Sequence, residues 1–303
     1  MSILPPVVSQ AAPKSGVLVA LLRRYPLFSY FFIAYLLSWL GWLPLVLSQD
    51  GLRLLPFHLP GPPNANVGIL GGAFGPIGSG FLCTAIMSGK AGLRQLLRRF
   101  ILWRVGVQWY VFAILGFPTL LLLGIFVTVP GALAAFRLSM LPLTLLLYVG
   151  LLIVGMFISP LAEEPGWRGF ALPRLQERYG PFMGSIILGL FWGCWHFPLF
   201  LVPGYNGVGT GFLGVGIPFG EFLVGIIAVT ILMTWAFNHT RGSLLIALLI
   251  HSAIDSFPRP LLFPPNYSDG LASSLTLLGF AALAVVILIV TRGKLGYRGN
   301  VSE

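Results

Sequence analysis

The chain has 303 residues, of which 57% are hydrophobic and 9% charged, with a mean hydropathy of +0.92 and a formal net charge of +10. Soluble globular domains carry about 25% charged residues, so this composition excludes one and requires a polytopic membrane protein. Nucleic acid is not implied either, because the basic residues lie between apolar runs, as orientation in a bilayer demands, and not along a soluble face.

Residues 1–25 read as a loose cytoplasmic tail. The stretch is not a secretory signal, since the first long apolar run is long enough to span. Eight runs approach the roughly 20 residues of a spanning helix. They are Pro26–Leu47, Val67–Ser88, Val107–Val129, Leu141–Leu161, Pro181–Val202, Ile217–Phe237, Ser243–Ser256 and Leu271–Thr291. The expected fold is therefore all-α, a bundle of about eight transmembrane helices over 26–291, with a functional core near 141–256 and a cytoplasmic tail at 292–303. In the second run Gly68, Gly71, Gly72 and Gly75 allow close helix contact, and Gly75-Pro76 is expected to kink it. Lys90–Arg104 mixes five basic residues with Leu93, Leu96, Leu97 and Ile101, the pattern of an interfacial helix on anionic lipid. Cys83 and Cys194 fall inside apolar segments and read as small buried hydrophobes.

Fifteen of the eighteen Lys and Arg residues fall on one side of this scheme, and only Arg53, Arg137 and Arg259 on the other. By the positive-inside rule both termini face the cytoplasm, and Glu163 and Glu164 sit at the cytoplasmic end of the fourth helix.

Only eight residues are acidic, and two of them are adjacent in Ser159-Pro-Leu-Ala-Glu-Glu-Pro-Gly-Trp-Arg-Gly-Phe170. Ionisable groups beside a membrane span are costly, and a charged helix end is as natural a reading as a functional site. Arg168 lies one helical turn past Glu164, which predicts an ion pair and leaves Glu163 pointing elsewhere. Pro165 opposes helical geometry at Glu164 and weakens that expectation. In the fifth run Trp192 precedes His196 by one turn; in the seventh, His251 and Asp255 share one face. Each could be a helix–helix hydrogen bond and nothing more. If the three helices are neighbours, Glu163, Glu164, His196, His251 and Asp255 converge on one cavity in which every buried group has a partner. A carboxylate and histidines around a water are the equipment of hydrolysis. Depth argues against the convergence: counted from Pro181, His196 lies about 22 Å along its helix, so the fourth helix must dip inward or the fifth begin outside the hydrocarbon. Asn238 and His239 read as a solvated turn, and His58 carries no assignment.

The order Glu-Glu-x-x-x-Arg, then aromatic-x-x-x-His, then His-x-x-x-Asp, resembles the CAAX protease and bacteriocin-processing (Abi) family, which includes the type II CAAX prenyl endopeptidases. The matching residues are Glu163, Glu164, Arg168, Trp192, His196, His251 and Asp255, and the likeness covers about 141–255. The resemblance implies an intramembrane endopeptidase. Glu163 would activate a water with His196 helping to hold it, His251 and Asp255 would stabilise the oxyanion, and Glu164 with Arg168 would brace the motif. It implies either a metal-free glutamate mechanism, preferred here, or zinc on Glu163, His196 and His251, a ligand set zinc takes. Asp255 replaces the Asn of the prenyl endopeptidases. An ionised Asp cannot donate, so it is expected to be protonated by burial, to orient His251, or to neighbour a metal. The implied partners are membrane lipid and a peptide or protein with a hydrophobic, lipidated or bacteriocin-type segment, with no nucleic acid; the implied location is a prokaryotic plasma membrane.

Other intramembrane protease classes lack their motifs: there is no His-Glu-x-x-His and only three aspartates. Two readings from other classes stay open, a proton-coupled transporter, because such clusters also form proton relays, and a non-catalytic scaffold of the same fold.

Overall fold

The computed structural model of the chain describes residues 16–60, 74–203, 205, 211–267 and 274–299. Among them every regular element is helical and there is no strand. Five helices are long and apolar enough to cross a membrane: Pro26–Leu47, Val107–Thr128, Leu138–Gly155, the folded stretch Ser159–Leu201, and Leu213–His239. Two shorter apolar helices, Leu244–Ser256 and Leu278–Thr291, complete the apolar set, so the expected eight full-length spans are not all present among the described residues. The glycines at 68, 71 and 72 lie outside them.

We number the helices α1 (Val17–Arg24), α2 (Pro26–Leu47), α3 (Pro76–Arg98), α4 (Val107–Thr128), α5 (Leu141–Gly155), α6 (Ser159–Gly166), α7 (Leu172–Trp195), α8 (Gly211–His239), α9 (Leu244–Ser256) and α10 (Leu278–Thr291). α1 corrects the expectation of a loose tail over its whole length, and Arg23 Nε donates to the Ile86 carbonyl oxygen (3.0 Å). α2 follows from a 22-residue run without a charge, opened by a proline where its missing N–H costs nothing. Gly75-Pro76 does not kink α3 but starts it; the break comes at Gly89, whose φ of 57° favours glycine. Ser243 caps α9, its Oγ accepting from Ile246 N (3.3 Å) and donating to the Leu102 carbonyl oxygen (2.8 Å).

Three departures from the expected spans position the functional residues. The fourth span ends at Gly155, and Ile158 (φ −99°, ψ −105°) interrupts the helix before α6 begins at Ser159. Glu163 and Glu164 therefore stand in a new helix and not at the end of the fourth. Next, α6 runs through a π turn, Trp167–Ala171, into α7, so Pro165 is accommodated inside helix with a widened turn just after it. Finally, Gly180 (φ 78°, ψ 165°) reverses the chain inside α7. The two arms pack antiparallel: a Cβ on Gly184 would lie 3.1 Å from the Leu175 backbone, and the Trp167 and Trp195 rings are 5.7 Å apart.

Around this hairpin the other helices form a wall. α3 crosses α6 where Gly80 meets Gly166; a Cβ on Gly166 would lie 2.2 Å from the Pro76 carbonyl oxygen, so only glycine permits the approach. α2 joins through Trp39 Nε1, which donates to the Trp195 carbonyl oxygen (2.9 Å), and through Tyr35 Oη on the Phe191 carbonyl oxygen. α9 lies along α5 and α6, with Ser252 Oγ donating to the Leu152 carbonyl oxygen (2.7 Å). α8 packs on Gly189 and Gly193 of α7. Large apolar side chains such as Phe28, Val127 and Leu146 face outward, as lipid requires.

Candidate active site

Four charged side chains are buried in the described bundle: Glu163, Glu164 and Arg168, with His251 beside them. In hydrocarbon an unpaired carboxylate or guanidinium is strongly disfavoured, so their partners define the site.

Glu164 takes the basic groups. Its Oε1 accepts from Arg168 Nη1 (2.8 Å), the expected one-turn pair, and from His251 Nδ1 (2.7 Å). Arg168 is fully buried, not a solvated charge in a connection between spans. Its guanidinium lies 4.1 Å from the Trp192 ring centroid and its Nη2 donates to Met233 Sδ (3.1 Å).

Glu163 takes none. Ser159 Oγ donates to its Oε1 (2.8 Å); Trp192 Nε1 (2.7 Å) and Trp167 Nε1 (3.3 Å) donate to its Oε2. Ser159 and Trp167 lie four residues before and after Glu163 on the same face of helix. Trp192 reaches it from the other arm of the hairpin. The same serine joins Glu163 to His251, whose Nε2 is 3.5 Å from Ser159 Oγ, and the His251 and Trp192 ring centroids are 5.3 Å apart.

Asp255 Oδ2 is 3.4 Å from His251 Nε2, one turn further along α9. The Asp255 side chain is 43% exposed. His196, one turn past Trp192, donates from Nδ1 to the Trp192 carbonyl oxygen (2.9 Å), since a carbonyl can only accept. That leaves Nε2 as its acceptor nitrogen, in a ring packed against Trp195 (4.7 Å) and Phe222 (5.1 Å).

The structure thus joins Glu163, Glu164, Arg168, Trp192, His251 and Asp255 by direct contacts, with His196 at their edge through Trp192. The hairpin removes the conflict of depth: Glu163 and Trp192 lie on opposite arms and meet because Gly180 folds them together. Sequence reasoning gave no role to Ser159 or Trp167, although one-turn spacing to Glu163 was the available signal. Asn238 is also not simply solvated. Its Nδ2 donates to Gln176 Oε1 (2.7 Å) and to the Leu295 carbonyl oxygen (3.0 Å), tying the outer part of the hairpin to the C-terminal segment.

A zinc site needs three or four converging donors. Among the described residues no three His, Cys, Asp or Glu side chains form such a cluster. The set Glu163, His196 and His251 is not assembled for a metal: both Glu163 oxygens and His251 Nδ1 are already engaged within the protein. The residues do not fit the ion.

Residues 144–257 match the family model described as type II CAAX prenyl endopeptidase Rce1-like, a stretch that contains Glu163, Glu164, Arg168, Trp192, His196, His251 and Asp255. A curated relative, CAAX prenyl protease 2 of Methanococcus maripaludis, is 29% identical over 191 residues, covering 58% of this chain and 66% of its own length. The matched part is a little under two thirds of that relative. Residues 144–257, which build this site, are thus Rce1-like, and the family they resemble in motif and in order is that of the type II CAAX prenyl endopeptidases.

Proposed function

We propose that the chain is an intramembrane endopeptidase in which Glu163 activates a water to hydrolyse a peptide bond. The observation that carries this reading is the division between the two adjacent glutamates. Glu164 is neutralised by Arg168 and His251, whereas Glu163 is held by three neutral donors and, among the described residues, by no cation. A carboxylate has about four lone-pair sites, and three donors leave acceptor capacity for a water. A base held ready at depth is the consequence.

In this mechanism the water oxygen attacks the scissile carbonyl carbon as Glu163 takes its proton, and the carbonyl electron pair moves onto oxygen. His251 gives its Nδ1 hydrogen to Glu164. When Nε2, 3.4 Å from Asp255 Oδ2, carries a proton, it is a donor to the developing oxyanion. Collapse of the tetrahedral species breaks the C–N bond, and Glu163 returns its proton to the leaving amine. His196 Nε2, an acceptor, helps to hold the water. Arg168 and Glu164 touch no reacting atom and serve to position His251 and Trp192.

The substrate class follows from the location and from the named relative: a protein or peptide with a hydrophobic or prenylated segment, cut near the cytoplasmic face of a prokaryotic plasma membrane. The excess of Lys and Arg between spans supports termini in the cytoplasm. The test is to incubate the purified chain in vesicles with prenylated and unprenylated C-terminal peptides and to identify products by mass spectrometry. Cleavage is expected at one bond of the prenylated peptide, unchanged by a chelator because no donor set converges on a metal among the described residues. Substrate-driven flux across the vesicle without any new peptide would replace this reading with that of a carrier.

A further inference from the structure

Past Gly89 the chain changes character. The apolar part of α3 ends at a left-handed residue (φ 57°, ψ −152°), and a second helical arm runs from Lys90 to Arg98, extended by a short turn through Ile101. Lys90, Arg94 and Arg98 are exposed and spaced four apart, so they form a single cationic ridge. None of the three has a carboxylate partner among the described residues. The neighbouring ridge is apolar and outward, with Leu97 53% and Ile101 71% exposed, and Trp103 follows with Arg104 stacked 5.1 Å from its ring. Cations beside exposed leucine, isoleucine and tryptophan are the two halves of a headgroup-level surface: the charges meet phosphate and the apolar row enters the acyl boundary.

The opposite face of the same arm lies on the candidate site. Leu96 is buried, and a Cβ on Gly169 would lie 2.5 Å from its Cδ1. Arg99 Nη1 donates to the Gly169 carbonyl oxygen (3.2 Å), and its guanidinium is 5.7 Å from the Phe237 ring centroid. Gly169 is in the π turn that contains Trp167 and Arg168, the residues that bond Glu163 and Glu164. π turns replace the α-helical bonds by wider i→i+5 bonds and occur frequently at functional sites. The arm packs on this one at Gly169, beside Leu244 of α9, while Tyr30 and Phe31 of α2 pack on Trp167 and Phe170.

We infer that the Lys90–Arg98 ridge binds the phosphates of anionic phospholipids and that, so held, the arm clamps the π turn behind the two glutamates. Occupancy of the surface by lipid would then set how well Glu163 and His251 are positioned. The effect on turnover rests on the hydrolytic reading of Glu163; lipid binding and backbone protection do not, so the two ideas fail separately.

The experiment compares the full chain with Lys90→Gln/Arg94→Gln/Arg98→Gln, and with Lys90→Arg/Arg94→Lys/Arg98→Lys as the charge-preserving control. Each is placed in vesicles of phosphatidylcholine alone or with phosphatidylglycerol added. Retained lipid is counted by native mass spectrometry, and amide hydrogen exchange is followed over 167–171. The unaltered chain and the control should retain phosphatidylglycerol in preference to phosphatidylcholine and exchange more slowly over that turn when it is present. At about 1 kcal/mol for each basic residue near an anionic surface, the triple Gln variant should lose the preference by at least about tenfold. It should also lose the slowed exchange. Equal retention of both lipids by the unaltered chain would overturn the inference. So would a preference that survives in the triple Gln variant, or binding of an acidic peptide to the ridge with no preference among lipids. Unchanged exchange over 167–171, despite phosphatidylglycerol bound at the ridge, would overturn the clamp.

Discussion

Glu163→Gln is expected to lower turnover of a cleavable peptide by about three orders of magnitude, the middle of the range for loss of a general base. Glutamine has the shape of glutamate and keeps an oxygen able to accept from Ser159 or from the indoles of Trp167 and Trp192. It cannot take a proton from water. The variant should therefore insert, purify and melt like the parent while its rate falls, and its affinity for uncleaved peptide should stay within a few-fold. Rates are read from single-turnover product formation, and folding from circular dichroism in the same detergent. A variant that is inactive because it is unfolded would show in the second measurement.

Arg168→Met is expected to have the largest effect on stability. Arg168 and Glu164 are both fully buried and 2.8 Å apart, so removing the cation leaves a carboxylate that only His251 can balance. Breaking a buried pair by deleting one partner costs about 3–5 kcal/mol. The remaining imidazole places this case near the lower end. Methionine retains much of the length that packs on Trp192 and Met233. Adding Glu164→Gln should recover part of the loss, because the stranded charge goes with it. Unfolding in mixed micelles with increasing anionic detergent measures all three proteins. A loss no larger than that of an exposed arginine would mean that Glu164 finds compensation elsewhere.

Much of this architecture was readable from residues alone. α2 begins and ends where its apolar run does, because a run without charges bounded by Tyr25 and Ser48 leaves the boundaries no freedom. The Glu164–Arg168 pair was readable from its one-turn spacing, even with Pro165 between them. The turns were harder. Gly89 and Gly180 sit inside stretches whose composition continues across them, and nothing in a glycine announces a positive φ. Without the reversal at Gly180 the depth of His196 looked incompatible with Glu163, and with it Trp192 reaches Glu163 directly. The break at Ile158 was hidden for the same reason, in an apolar run that gives no sign of stopping. Ser159 and Trp167 were overlooked because hydroxyl and indole groups are common at helix ends in membranes, and only their approach to one carboxylate distinguishes them.

The division of roles also explains why two adjacent glutamates are useful where one would seem sufficient. On a helix, neighbours point about 100° apart. Glu164 can thus face Arg168 and His251 while Glu163 faces the second arm of the hairpin, so one residue anchors the histidine and the other, in the proposed mechanism, is kept for water.

The central claim is that Glu163 and His251 act on one water in one hydrolytic centre. Its most direct test is a double-mutant cycle on single-turnover peptide cleavage with Glu163→Gln, His251→Ala and the pair combined. Groups that act as a unit are strongly non-additive, so the combined variant should be no slower than the worse single variant by more than a few-fold. Losses that multiply, or full turnover in either single variant, would contradict it.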